Sequence, residues 1–144
     1  MNQLVREVMR RKGSEIEVID PAETIDVAVE WMTSRHVGSL LVISDGRLVG
    51  ILTERDLLVR VLAARCDPMT TVVRDVMTRQ PLVVIGPEDT VAEALALVTR
   101  SRCRHLPVVD GDRILGVVSA GDLTASLVQD QQITIDDLYV YITR

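Results

Sequence analysis

A chain of 144 residues with 16 basic and 21 acidic side chains carries a formal charge of −5 at pH 7, which disfavours a general nucleic-acid binder, since that affinity comes mostly from neutralising phosphates with Lys and Arg. Trp31, Tyr139 and Tyr141 are its aromatic residues, too few for a single-strand stacking platform, so a bound base has to lie between aliphatic side chains and backbone. Its apolar share of 47% is ample for a core, yet no run reaches membrane-spanning length and the mixed-charge N-terminus has no apolar h-region, so a cytoplasmic protein with no membrane partner is expected.

Taken in order, Val5-Arg-Glu-Val-Met9 returns as Val73-Arg-Asp-Val-Met77, 68 residues on, whereas the later repeats return at 66. The first copy therefore carries two extra residues, and Arg11, Lys12 and Gly13 are expected to form a loop there. Glu15-Ile-Glu-Val-Ile19 alternates as a half-buried strand does. Leu82-Val-Val-Ile85 is its counterpart, more apolar and so expected to be more buried. Pro21 and Pro87 mark turns, and Thr90 with Glu93 forms a capping box. Apolar residues at 25, 28, 29 and 32, repeated at 91, 94, 95 and 98, make the stripe of an amphipathic helix in each half. Trp31 lies beside that stripe and is read as a packing residue.

Val37–Ile43 and His105–Val109 are apolar strands closed by Asp45-Gly46 and Asp110-Gly111, strong hairpin signals that pair them antiparallel with the next strands. Pro107 within its strand argues for an edge or a bulge. The next stretch is the most informative. Arg47-Leu-Val-Gly-Ile-Leu-Thr-Glu-Arg-Asp-Leu57 returns as Arg113-Ile-Leu-Gly-Val-Val-Ser-Ala-Gly-Asp-Leu123. Each copy is a strand around a glycine, then a hydroxyl residue and, three places later, an acid: Thr53 with Asp56, Ser119 with Asp122. That is a capping box, so a strand ends and a helix begins there. Helices are expected over residues 57–64 and 123–129, with Arg65–Thr70 linking the halves. Beyond them, Ile135, Leu138, Tyr139 and Ile142 fall at helical spacing with no twin in the repeat. The division is one repeat at 1–65, a linker at 66–72, a second repeat at 73–130 and a helical tail at 131–144.

Asp56 and Asp122 have two readings. Each caps a helix, or each also accepts hydrogen bonds from the hydroxyls of a ribose at a strand-to-helix mouth. Arg102 and Arg104 have two readings as well, a phosphate clamp near a cleft or solvated surface. An enzyme is not expected. Ser119, His105 and Asp122 resemble a hydrolase triad in type only, because Ser119 lacks a nucleophile elbow and Thr53 repeats its position without a matching His. There is no P-loop, zinc spacing or paired-glycine dinucleotide loop. His36 aligns with Arg102 and His105 with Ser39, so the histidines share no role, and no metal site is expected. Cys66 and Cys103 are too few for a disulfide framework and read as small packing residues in a reducing compartment.

The doubled strand-helix-strand-strand-helix order, the Val-x-Asp/Glu-Val-Met segments, Arg104-His-Leu-Pro-Val-Val-Asp110 and the paired Gly-x-x-Ser/Thr-x-x-Asp-Leu motifs together resemble a tandem pair of cystathionine β-synthase (CBS) domains, a Bateman module. The resemblance covers nearly the whole chain and implies an α/β (α+β) fold of two β-α-β-β-α repeats about a pseudo-twofold axis. It also implies a regulatory sensor with clefts between the repeats for AMP, ADP, ATP, NAD or S-adenosylmethionine, no catalytic cofactor, a homodimer and a protein target elsewhere. By position, Asp56 and Asp122 would hold ribose, with Thr53 and Ser119 beside them. Thr78 and Val83 would face the Asp56 cleft, where Thr78 and Arg55 would meet phosphate. Lys12, Ile16 and Glu17 would face the Asp122 cleft. Base contacts would come from backbone at Val37, Gly38, Ser39 and Leu40, and at Cys103, Arg104, His105 and Leu106. The Asp56 cleft is the clearer expectation. The alternative is an oligomerisation module with empty clefts.

Overall fold

The structure, a computed structural model, describes residues 3–13 and 15–129. Chain order is α1 (Val5–Lys12), β1 (Val18–Ile19), α2 (Ile25–Arg35), β2 (Ser39–Ser44), β3 (Arg47–Thr53), α3 (Glu54–Asp56) running into a π-helical segment (Leu57–Leu62), α4 (Val73–Val76), β4 (Thr78–Arg79), α5 (Val91–Ser101), β5 (His105–Asp110), β6 (Arg113–Ser119) and α6 (Ala120–Gln129). The expected helix at Ile135–Ile142 lies outside the described residues.

The chain packs as two units, one of residues 16–82 and the other of the described residues before 16 and after 82. Packing unit and sequence repeat are therefore different partitions. The segment that opens each repeat is built into the unit holding the rest of the other repeat, through the same backbone clamp. Val73 N–H donates to the Glu23 carbonyl and Ile25 N–H to that of Thr71 in the first; Val5 N–H donates to Asp89 and Val91 N–H to Gln3 in the second.

In the 16–82 unit the sheet order is β1-β2-β3-β4, with β1 parallel to β2 and the other pairs antiparallel. β2 lies between two neighbours, which is why Leu40, Leu41 and Val42 are all fully buried and read as a continuous apolar run. Ile25, Ala28 and Met32 bring the buried face of α2 onto Leu40, Val42 and Leu52. Val29, expected in that stripe, sits at its edge and is 38% exposed. Trp31 packs at the margin of the core, with the Arg35 guanidinium 4.9 Å from its ring centroid.

In the other unit β5 and β6 form a two-stranded sheet. Val5 and Val8 of α1, Val91 and Ala94 of α5, and Leu123 of α6 pack with Leu106, Val108 and Val118. The Thr90–Glu93 capping box closes α5 as expected, both bonds at 3.0 Å. α2 and α5 end alike, His36 (φ 56°) and its repeat partner Arg102 (φ 57°) each adopting the left-handed conformation that stops the helix.

Several local expectations are corrected. Arg11 and Lys12 belong to α1 rather than to a loop. The Glu15–Ile19 strand contracts to Val18–Ile19, and Leu82–Ile85 forms no strand. Ile85 alone bridges Val108, and Val84 is 37% exposed, because a single bridge lays down no strand whose residues are covered on both faces. Both late helices start three residues earlier than expected, at Glu54 and Ala120, since the capping acid belongs to the first turn. The first then widens into π geometry, with Ala63 N–H donating to Leu58 and Cys66 N–H to Val61. Pro107, expected to mark an edge or a bulge, does lie on an edge, since β5 pairs along its length with β6 in a two-stranded sheet, and a bulge falls one residue later, between Val108 and Val109. Its twin lies between Val42 and Ile43 with no proline near, so the duplicated hairpin, rather than the proline, carries it.

Candidate functional site

Each site is built where a strand hands over to a helix. At the end of β3, Thr53 is extended (φ −119°, ψ 165°). Its N–H donates to Asp56 Oδ2 at 3.0 Å while its Oγ1 accepts from Asp56 N–H at 3.2 Å. At the end of β6 the same box recurs, Ser119 N–H to Asp122 Oδ2 at 2.9 Å and Asp122 N–H to Ser119 Oγ at 3.0 Å. In both, the carbonyl at the start of the partner strand is tied to the helix: Glu54 N–H donates to Gly38, and Ala120 N–H to Arg104.

What reaches each carboxylate differs. Thr78 on β4, paired with Ile51, donates its hydroxyl to Asp56, 3.0 Å from Oδ1 and 3.3 Å from Oδ2. Arg60, one turn beyond Asp56, donates to the carbonyls of Met77 (2.8 Å) and Val76 (3.2 Å) and holds its Nε 3.9 Å from Asp56 Oδ1. Sequence reasoning missed Arg60, although its i,i+4 spacing from Asp56 was the available signal. In the other unit, the Lys12 ammonium donates to Asp122 Oδ2 at 2.8 Å and to the Val117 carbonyl at 2.7 Å. Burial by itself raises the Asp122 pKa. The hydrogen bond and charge of Lys12, with the N–H and hydroxyl of Ser119, outweigh it and hold the carboxyl below its ordinary value.

The other expected site residues fall as follows. Ser39 pairs with Thr53 and Leu40 with Leu52; His105 pairs with Ser119 and Leu106 with Val118. The strand starts thus lie beside the carboxylates. Leu40 and Leu106 are fully buried. Val37 and Cys103 pack on the two cores, and Arg55 is exposed. Val83 packs on the core of the unit that holds Asp122. Ile16 and Glu17 belong to the Asp56 unit, where Glu17 pairs with Arg35 at 2.9 Å. None of these three shares a unit with the carboxylate the resemblance assigned it.

The Lys12 pairing has a pH signature. A carboxylate whose folded pKa lies below its unfolded value of about 3.9 adds stability above that value and loses it as pH falls through the folded one. Replacing Lys12 by Met is expected to raise the Asp122 titration midpoint and bring acid loss of this unit to higher pH. The measurement is a carboxyl NMR titration of Asp122 with circular dichroism across the acid range; an unmoved Asp122 midpoint would contradict the pairing.

A profile of the CBS domain matches residues 5–63 and 73–129. The chain is 33% identical over 146 residues to the mitochondrial CBS domain-containing protein CBSX3 of Arabidopsis thaliana, covering 96% of this chain and 71% of that one. A solved CBS-domain structure, NE2398, superposes with a TM-score of 0.84 at 34% identity, over 89% of this chain and 99% of that one. A hexameric CBS-CP12 protein from bloom-forming cyanobacteria gives a TM-score of 0.76 at 30% identity, over 85% and 71%. Two copies of one motif set, two equivalent capping carboxylates and a profile match to each copy place this chain in the CBS-domain family, as a tandem pair.

Proposed function

We propose that the chain is a regulatory sensor that binds an adenosine-containing ligand, one of AMP, ADP, ATP, NAD or S-adenosylmethionine, with the ribose diol on a capping carboxylate. Binding then alters the surface that a second copy or a protein target reads. The observation that carries this reading is the duplicated carboxylate, fixed by its own capping box in each unit and met there by a second polar group, Thr78 or Lys12. A negatively charged acceptor so held is suited to a vicinal diol, because charge-assisted hydrogen bonds are about twice as strong as neutral ones. The chain then acts by binding rather than by catalysis. We place it in the cytoplasm, where the free, half-buried thiols of Cys66 and Cys103 stay reduced. No helix among the described residues is long and apolar enough to cross a membrane.

A second reading, an oligomerisation module with unused sites, is favoured by Leu58, Val59 and Leu62, which the π segment leaves 61%, 51% and 68% exposed, and by the hexameric relative. Titration with the five ligands separates the two. A sensor's thermal midpoint climbs with concentration of at least one of them, as mass action requires. A flat midpoint across the panel, with an assembly that Leu62→Asp disperses, leaves the second reading.

A further inference from the structure

Asp56 and Asp122 occupy the same place in the repeat, yet the structure gives them different access. The Asp56 side chain is 7% exposed, and the Thr78 hydroxyl straddles both of its oxygens. The Asp122 side chain is 28% exposed. Ser119 N–H and Lys12 both fall on its Oδ2, and among the described residues no donor reaches its Oδ1. A carboxylate oxygen has about two acceptor sites, so Oδ2 is filled and Oδ1 is left open.

Two substitutions make the difference: Arg60, whose Nε lies 3.9 Å from Asp56 Oδ1, is matched 66 residues on by Ser126, and Lys12 faces Asp122 where Thr78 faces Asp56. Thr78 pairs with Ile51, and the Lys12 ammonium bonds the carbonyl of Val117, the repeat partner of Ile51, so one place beside the carboxylate carries a hydroxyl in the first unit and an ammonium in the second. Lys12 reaches Asp122 because α1 runs eight residues to Gly13, whereas α4 stops after four. The neighbouring charges are engaged elsewhere: Arg11 turns to Ser126 and Gln129, Arg6 pairs with Glu88, and Glu93 caps α5.

Resting on the sensor reading above, we propose that the two carboxylates fill in a fixed order, Asp122 before Asp56, and that Lys12 is the positioning residue that sets it by engaging one oxygen of Asp122 and leaving the other for a diol. A ligand hydroxyl arriving at Asp122 displaces water and, among the described residues, no protein donor. One arriving at Asp56 takes the place of Thr78 on an almost buried carboxylate and leaves that hydroxyl without its acceptor, which weakens the second site.

The test is calorimetric titration of the full chain with AMP, with circular dichroism confirming that each variant is folded. Asn keeps an acceptor for the capping N–H, so Asp122→Asn and Asp56→Asn retain their helices. The wild type is expected to show two classes of site separated by roughly tenfold or more, or the tight class alone. Asp122→Asn removes the tight class, and Asp56→Asn leaves it. Thr78→Val tightens the weak class, a gain that a purely structural Thr78 would not give. Lys12→Met weakens the tight class and moves the acid limb of its pH profile upward, and Lys12→Arg restores both. Loss of the tight class in Asp56→Asn, equal affinities at the two carboxylates, or a tight class indifferent to Lys12→Met overturns the order while the sensor reading stands. AMP binding that survives both Asn substitutions, or silence of the wild type toward AMP and, in the same titration, toward ADP, ATP, NAD and S-adenosylmethionine, overturns the reading on which the order rests.

Discussion

Gly50→Ala is expected to destabilise the 16–82 unit by about 3 kcal/mol, the upper end of the usual cost of overpacking. A Cβ on Gly50 would lie 2.6 Å from Met77 Sδ and 2.6 Å from the Thr78 carbonyl oxygen. The methionine can swing aside, but the carbonyl is backbone of β4 and moves only if β4 leaves β3. Since Gly50 pairs with Arg79 and Ile51 with Thr78, that shift also draws the Thr78 hydroxyl off Asp56. Gly46→Ala is the control. Its φ of 75° imposes left-handed strain, but nothing lies within 4 Å of the added carbon, so its cost is about 1–2 kcal/mol. Urea denaturation followed by Trp31 fluorescence reads both, since Trp31 packs on this unit's core. A Gly50→Ala midpoint equal to that of Gly46→Ala would mean that β4 gives way freely.

The repeat partner of Gly50 shows where sequence reasoning stops. Gly116 aligns with it, yet its φ is +146° and the atom facing it is the flexible Met9 Cε, so one repeated glycine answers two different demands. The features legible in the chain are those fixed by neighbours a few residues apart. The capping boxes at Thr53, Thr90 and Ser119 are set by an i,i+3 spacing, and the β2–β3 turn by an Asp-Gly pair that takes φ values of 51° and 75°. Features set by packing were not legible from local pattern. Nothing near Lys12 says that its ammonium meets a carboxylate 110 residues away, and only the resemblance placed it there. Nothing in Leu57–Leu62 announces a π segment, and the apolar character of Leu82–Ile85 did not reveal that Val84 faces solvent. The resemblance grouped Val83, Ile16 and Glu17 with carboxylates of the other unit, an assignment that rests on alignment and not on any contact within a unit.

Asp56→Ala is expected to cost about 2–4 kcal/mol, and the size follows from burial rather than from charge. The substitution leaves Thr53 N–H and the Thr78 hydroxyl without their acceptor in a site where the residue is 5% exposed. Each such orphaned group costs about 1–3 kcal/mol, and relief from burying a carboxylate returns part of it. Asp122→Ala removes the corresponding partner of Ser119 N–H, but water reaches that site and Lys12 is itself 37% exposed. Its cost therefore falls to about 1 kcal/mol, that of losing one cap, because partly exposed ion pairs contribute little. Asp56→Asn separates the roles further. Its amide oxygen still accepts from Thr53 N–H, while Thr78 can turn to accept from the amide nitrogen, so the loss stays under about 1 kcal/mol. Equilibrium denaturation of the three variants is expected to rank them Asp56→Ala, Asp122→Ala, Asp56→Asn in falling cost. If Asp122→Ala proved as damaging as Asp56→Ala, the two capping carboxylates would be structural equals and the difference in access between them would carry no energetic weight.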